Sequence, residues 1–157
     1  MGRVNATPPA VAPELAVVGE DLGADADAVV RALVARLQRA GRIDAAEPLV
    51  DAVLAREAIG STALPGGLAM PHARHESVAT PSVAAAVLPE ALTWSEGSEP
   101  VRVVLLIAAP ADDADGYLDL LQKIAGAGVK GSFLDDLLGA ADGAELAALL
   151  SGAAGGR

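Results

Sequence analysis

A run of apolar residues at 100–109 most constrains the fold. It reads Pro-Val-Arg-Val-Val-Leu-Leu-Ile-Ala-Ala, and Val103–Ala109 within it has no polar side chain at either set of alternating positions. A strand that is apolar on both faces is buried on both, as in the centre of a covered sheet. The run is also too short to span a bilayer. It therefore predicts a central strand with helices packed against both of its faces.

The surrounding periodicity supplies those helices. Apolar residues recur at helical spacing over 25–40, where Gly41 marks the stop, and again after Asp44, where Glu47 fits a capping box. This second helix is expected to end near 56–57. Further strands are predicted at 15–18, 67–70 and 82–88, and further helices after the acidic residues Asp112, Asp113 and Asp115, at 133–138 and at 142–150. The order predicts an α/β fold, a single domain whose mixed β-sheet is flanked by helices on both faces.

The two ends of the chain have the composition of tails. Residues 1–13 contain three prolines among small residues, and residues 151–157 are rich in Gly and Ala. We expect a flexible N-terminal tail at 1–13, an ordered domain at 14–150 and a flexible C-terminal tail at 151–157.

Composition disfavours several classes of function. The formal net charge of −10 argues against nucleic acid and against anionic membrane surfaces as partners. The 157 residues include no cysteine, which excludes disulfides and thiolate chemistry within the chain. No signal-peptide hydrophobic region occurs near the start. These features predict a cytoplasmic protein without direct membrane insertion.

The octapeptide at 67–74, Gly-Leu-Ala-Met-Pro-His-Ala-Arg, holds the best candidate for a reactive group. The chain has only two histidines, His72 and His75, so nucleophilic chemistry near neutral pH has few other places to reside. Pro71 fixes its own φ and biases Met70 toward an extended backbone. His72 is therefore predicted to sit rigidly where a short strand ends. Local sequence alone leaves open whether it is a nucleophile or a packed or surface side chain.

Two segments together resemble a known family. Residues 56–62 read Arg-Glu-Ala-Ile-Gly-Ser-Thr, the octapeptide follows after a short gap, and the strand at 103–110 precedes Tyr117 and a run of leucines. Over residues 14–150 this pattern resembles the enzyme IIA domain of the fructose/mannitol class, including its nitrogen-regulatory branch. These domains belong to the bacterial phosphoenolpyruvate-dependent sugar phosphotransferase system. The resemblance implies a mixed sheet flanked by helices, in agreement with the periodicity.

The resemblance also implies a phosphohistidine relay. The histidine matching His72 would accept a phosphoryl group from the histidine-containing phosphocarrier protein and pass it to a cysteine of an enzyme IIB, as a phosphotransferase. The arginine matching Arg56 would lie beside it and neutralise the phosphoryl oxygens, a role that suits a planar guanidinium. No metal or other cofactor is expected. Because this chain has no cysteine, the acceptor is expected on a separate enzyme IIB.

Position 117 departs from the family pattern. Many members carry a second histidine there, close to the phosphorylated one, whereas this chain has Tyr117. A phenol can donate a hydrogen bond to a phosphoryl oxygen but cannot become cationic. Three hypotheses therefore stay open: a sugar-transport phosphocarrier, a regulatory interaction protein of the nitrogen-related branch, and a degenerate binding module without transfer. Helical spacing alone would also allow Tyr117 to belong to the core.

Several residues around the motif have simple alternative interpretations. Thr62 is a candidate to stabilise phosphate, although both Ser61 and Thr62 are also typical of a turn or strand start. Arg56, at a helix end, would interact favourably with the last carbonyls in any case. Arg74 could assist phosphate binding or simply face water, and the second alternative is favoured.

The remaining polar and aromatic residues do not favour metal binding or sugar binding. His75 is expected to be a solvated loop residue. Zinc held by His72, His75 and Glu76 is disfavoured, because a zinc site needs at least three well-placed ligands and no second cluster occurs in the sequence. The acidic residues 112–115 are expected to cap a helix, and Trp94 to anchor a loop.

Overall fold

The computed structural model describes residues 8–155. Within them, a 3-10 turn at Pro13–Leu15 and one strand precede two helices, five strands and three further helices, the order that the periodicity predicted except for two additional short strands. The strands are β1 Ala16–Val18, β2 Ala63–Leu64, β3 Leu68–Ala69, β4 His72–His75, β5 Ser82–Leu92 and β6 Val101–Pro110. The helices are α1 Ala26–Arg39, α2 Ala46–Ile59, α3 Ala114–Gly128, α4 Gly131–Leu138 and α5 Gly143–Gly155.

The strands form one mixed sheet of six in the order β1-β5-β6-β3-β2, with β4 also paired to β6. Strand β6 runs antiparallel to β5 on one side. On its other side it pairs first with β3 and then with β4, both parallel, so that Leu68 lies opposite Val103 and His72 opposite Ile107. The predicted central strand is confirmed, and it positions the octapeptide along its length.

Helices cover both faces of the sheet, as predicted. Alternating residues of β6 enter two separate cores, with Val104 and Leu106 in one and Leu105 and Ile107 in the other. Helices α1 and α2 close the first core, and α3, α4 and α5 close the second. Among the described residues, none of the helices combines the length and apolar character needed to cross a membrane.

Helix α1 has a side-chain cap at its N-terminus, whereas α2 does not. The Asp25 side chain accepts a hydrogen bond from the Ala28 N–H and caps α1. The capping box predicted at Asp44 and Glu47 is wrong, because the residue preceding α2 is Ala45 and no side chain caps it. Helix α2 also continues past the predicted end to Ile59.

The chain ends differ from the predicted tail boundaries. Val11 and Ala12 are buried, and the Ala10 carbonyl accepts a hydrogen bond from the Val83 N–H beside the sheet. Helix α5 runs to Gly155, because small apolar residues beyond 150 still contact the second core. The rest of the two predicted tails, residues 1–7 and 156–157, lies outside the described residues.

Gly67 is expected to be hard to replace. Its φ is +94°, and a Cβ there would lie 3.0 Å from the Pro100 carbonyl oxygen. Gly67→Ala should therefore lower the free energy of unfolding by roughly 1–3 kcal/mol, measured by denaturant titration. Gly126→Ala is the matched control: a Cβ added to this helical glycine would meet nothing within 4 Å, so the variant should be at least as stable as the parent. Equal stability of Gly67→Ala and the parent would contradict the prediction.

Candidate functional site around His72

His72 opens β4 at the side of the sheet away from β5, and its ring is held by the backbone. Its Nδ1 lies 2.7 Å from the Met70 carbonyl oxygen, a distance at which Nδ1–H donates to that oxygen. The preceding Pro71 is buried, and its carbonyl accepts from the Ile107 N–H of β6. The tautomer with the proton on Nδ1 leaves the lone pair on Nε2. In the neutral form of the half-buried ring, Nε2 is therefore the unprotonated nitrogen.

The ring borders a surface depression of about 390 Å³. The depression lies between the end of α2, the β2–β4 region and α3, so residues distant in sequence meet there. Its lining residues are Arg56, Ser61, Thr62, Leu64, Met70, His72, Leu121, Gln122 and Ala125. The structure therefore brings His72 and Arg56 to the same open concavity, rather than enclosing the ring among aliphatic side chains.

Arg56 occupies a position compatible with both roles suggested by the sequence. It lies in the last turn of α2, and its Nη1 donates to the Gly60 carbonyl oxygen at 2.8 Å. That bond fixes the guanidinium at the helix C-terminus, where a cation is favourable. The same side chain lines the depression beside His72. A guanidinium has five N–H donors, so one bond to a carbonyl leaves others for an anion.

Thr62 is buried, and its polar groups form hydrogen bonds with Glu57, a residue that the sequence analysis did not single out. Its Oγ1 donates to Glu57 Oε1 at 2.7 Å, and its backbone N–H donates to Glu57 Oε2 at 2.7 Å. The Trp94 Nε1–H donates to the same Oε2 at 3.1 Å. The Thr62 hydroxyl proton is therefore engaged by Glu57, and an incoming phosphate would have to compete for it.

A series of hydrogen bonds connects Glu57 to His72 through Thr62 and Met70. The Thr62 carbonyl accepts from the Met70 N–H at 3.3 Å, and the Met70 carbonyl in turn accepts from His72. Trp94 is buried, as expected of a loop anchor. Glu57 stands directly after Arg56 and near Thr62 in the sequence, but nothing local indicates its bond to Trp94, which is 37 positions away.

Glu57→Ala should destabilise the fold and loosen this corner of the site. Three donors would lose their acceptor, which should cost roughly 2–4 kcal/mol in the free energy of unfolding. Trp94 is the only tryptophan, so its fluorescence reports the change directly and should shift to longer wavelength. Glu57→Gln, which keeps an acceptor oxygen, is the matched control and should lose less stability. An unchanged emission spectrum in Glu57→Ala would contradict the bonding described.

Tyr117 lies in the first turn of α3, beside the histidine rather than in the core. The two ring centroids are 6.0 Å apart with planes inclined at 50°. The Asp113 side chain caps this helix by accepting from the Gly116 N–H, as the acidic cluster predicted. Burial raises the pKa of the Tyr117 phenol, and the positive charges of Arg56 and Arg74 partly oppose that rise. The phenol therefore stays protonated at neutral pH and can act as a hydrogen-bond donor.

The two remaining candidates, His75 and Arg74, have different surroundings. His75 ends β4, and its Nδ1 is contacted by the Ser77 N–H at 3.0 Å and the Ser77 Oγ at 2.9 Å. It is half-buried in a local turn instead of fully solvated. Within residues 8–155, no group of three or more His, Cys, Asp or Glu side chains could hold a metal ion. Arg74 is exposed, but its guanidinium lies over the Tyr117 ring.

Comparison with curated relatives gives partial-length matches to phosphotransferase proteins. The multiphosphoryl transfer protein of Escherichia coli O157:H7 is 34% identical over 137 residues, which cover 85% of this chain and 35% of that protein. The 2-O-alpha-mannosyl-D-glycerate-specific EIIABC component of Escherichia coli K12 is 39% identical over 87 residues, covering 54% of this chain and 13% of that protein. The chain thus spans about a third or less of the length of these relatives.

Solved structures share the fold at lower identity. The nitrogen regulatory protein IIA-Ntr from Neisseria meningitidis superposes with a TM-score of 0.80 at 23% identity, covering 90% of this chain and 96% of that one. The IIA subunit in the Escherichia coli complex of enzyme IIA mannitol with phosphorylated enzyme IIB mannitol gives 0.73 at 22% identity, covering 88% and 95%.

The family comparison covers nearly all of the described chain. The family model described as phosphoenolpyruvate-dependent sugar phosphotransferase system, EIIA 2, matches residues 14–153, which include both motif segments, the central strand and α3. The chain therefore belongs to the EIIA 2 family of the phosphoenolpyruvate-dependent sugar phosphotransferase system.

Proposed function

We propose that this chain is a phosphocarrier that accepts a phosphoryl group on Nε2 of His72. The donor is the histidine-containing phosphocarrier protein, and the acceptor is a cysteine of a separate enzyme IIB. The observation that carries the proposal is the 2.7 Å contact from Nδ1 to the Met70 carbonyl, which leaves the Nε2 lone pair for attack beside Arg56. Relatives named multiphosphoryl transfer protein, and a related fold in complex with phosphorylated enzyme IIB, support it.

The accepting step transfers the phosphoryl group directly between two ring nitrogens and needs neither a metal nor an external base. The Nε2 lone pair of neutral His72 attacks phosphorus in line with the donor's P–N bond. The new N–P bond forms as the old one breaks, and the electron pair of the old bond returns to the donor ring nitrogen. The donor ring leaves as neutral imidazole, while the His72 ring takes on the positive charge. The Met70 carbonyl, which accepts from Nδ1–H, stabilises that charge.

The three phosphoryl oxygens require donors and positive charge. Arg56 supplies a guanidinium in the wall of the same depression. Tyr117, held protonated by the burial that raises its pKa, supplies an O–H donor near the His72 ring. Donors fixed in advance around developing charge are a large source of rate enhancement, because they need no reorganisation during the step.

The donating step reverses the roles of the histidine. A thiolate of enzyme IIB attacks phosphorus, the S–P bond forms, and the N–P bond to Nε2 breaks. Its electron pair returns to the ring, which again becomes neutral with its proton on Nδ1. The chain is regenerated, and the phosphoryl group stays on the acceptor. A cytoplasmic location would suit this exchange between proteins, and it stays a prediction from the sequence.

The proposal is tested by reconstituting the relay. The full chain is incubated with phosphoenolpyruvate, enzyme I and the phosphocarrier protein, and its mass is measured before and after acid treatment. One acid-labile phosphoryl group is expected, and addition of an enzyme IIB should remove it. Label that enzyme IIB does not remove would favour the regulatory hypothesis over transport. Absence of label would overturn the proposal.

Tyr117 separates an active carrier from a degenerate one. Tyr117→Phe removes only the O–H, and we expect labelling to slow about 3- to 30-fold because one donor to the phosphoryl oxygens is lost. Tyr117→His should keep labelling within a few-fold of the parent. The initial rate of mass increase checks both variants. A parent chain that takes no label while Tyr117→His does would instead support the degenerate hypothesis.

A further inference from the structure

Strand β4 presents two of its side chains to the same side of the sheet. Alternate residues of a strand face opposite ways, so His72 and Arg74 share a face while Ala73 points to the other. Ala73 packs in the core closed by α1 and α2, which assigns His72 and Arg74 to the α3 side. Tyr117 of α3 meets them there. Its ring centroid is 6.0 Å from that of His72 and 5.7 Å from the guanidinium carbon of Arg74.

Arg74 is held in place although it is exposed. Its Nη1 donates at 2.8 Å to the carbonyl oxygen of Ala111, just after β6 ends. The guanidinium also lies over the face of Tyr117, within the range of a cation–π contact. These two contacts hold the guanidinium against Tyr117 and leave further N–H donors for an anion. A free surface arginine would have neither restraint.

The electrostatic setting agrees with this geometry. The positive charges of Arg56 and Arg74 both act on the Tyr117 phenol and oppose the rise in its pKa that burial causes. Two guanidinium groups, one from the end of α2 and one from β4, therefore converge on the neighbourhood of the same ring. The chain as a whole carries a formal charge of −10, so a phosphoryl dianion bound here depends on such local cations.

We propose that Arg74 is a second phosphate-stabilising cation, acting with Tyr117 on the phosphoryl group of His72. The inference rests on the proposed function. It adds Arg74 to the residues that act on the phosphoryl group, beside His72 and Arg56. Tyr117 donates a hydrogen bond but carries no charge, and Arg74 provides the charge beside it. Together, Tyr117 and Arg74 supply the hydrogen bond and the positive charge that a single protonated imidazole at position 117 could supply.

The test compares Arg74→Gln with Arg74→Lys and with Arg39→Gln, an exposed arginine of α1. Initial rates of labelling are measured with phosphoenolpyruvate, enzyme I and the phosphocarrier protein. Arg74→Gln should slow labelling roughly 10- to 100-fold, as expected when one hydrogen bond to a charged group is lost. Arg74→Lys should recover part of the rate, and Arg39→Gln should label as the parent does.

A second readout separates charge stabilisation from structural or docking effects. The phosphorylated parent and Arg74→Gln proteins are titrated by ³¹P NMR. Loss of a cation beside the phosphoryl group should move the midpoint of its second ionisation to higher pH. A parent-like rate and midpoint in Arg74→Gln would overturn the inference and leave the proposed function intact, as would a slow rate with an unmoved midpoint. A parent chain that takes no label would overturn both.

Discussion

His72→Ala is expected to abolish labelling by the phosphocarrier protein, a loss of at least about 1,000-fold, because it removes the only nucleophile in the proposed mechanism. The ring is only half-buried and its removal costs a single hydrogen bond, to the Met70 carbonyl, so the variant should fold with only a small loss of stability. The measurement is the intact mass after incubation with phosphoenolpyruvate, enzyme I and the phosphocarrier protein.

The matched control is His75→Ala. His75 is the only other histidine, lies on the same strand, and has its Nδ1 in contact with Ser77. This variant should take up label at close to the parental rate. Label that persists in His72→Ala and disappears in His75→Ala would reassign the site to the opposite face of β4.

Arg56→Gln is expected to slow phosphoryl transfer about 100- to 1,000-fold, the range found when a preorganised donor to developing negative charge is removed. Arg56→Lys should recover only part of the rate, because an ammonium cannot make the bidentate contact of a guanidinium. Initial rates from rapid-quench labelling give the comparison. Because Arg56 also donates to the Gly60 carbonyl, thermal unfolding is measured in parallel.

Two outcomes would decide the role of Arg56. A rate loss with an unchanged unfolding transition assigns it to the phosphoryl group. A parental rate in Arg56→Gln would mean that the side chain serves only as a C-terminal partner of α2. The sequence allowed both roles, and the structure gives Arg56 a position compatible with both.

The main features of the fold could be predicted because buried strands and helices show a regular spacing of apolar residues in the sequence. The apolar run at β6 predicted a central strand, and the two cores on its faces confirm the flanking helices. The strands β2 and β4 were not predicted. Ala63–Leu64 is too short to show a period, and His72–His75 is mostly polar, so its strand geometry is set by pairing with β6.

His72 and Arg56 could be predicted because the resemblance implies a role for each, and they do border one depression. Glu57 and Arg74 lie in the same two segments, but the resemblance implied no role for them. The roles of Glu57 and Arg74 depend on contacts across the fold, to Trp94 and to Tyr117 and the Ala111 carbonyl. In particular, the direction of Arg74 follows from the alternation of β4, a strand that the sequence did not reveal.

The most direct test of the phosphocarrier assignment is to locate the phosphoryl group by NMR. The uniformly ¹⁵N-labelled full chain is phosphorylated through the relay, and couplings between phosphorus and ring nitrogens are recorded. We predict one phosphorylated histidine, His72, with phosphorus coupled to Nε2 and the proton retained on Nδ1 toward the Met70 carbonyl. A phosphoryl group on Nδ1 of His72, on His75, or on no histidine at all would contradict the account.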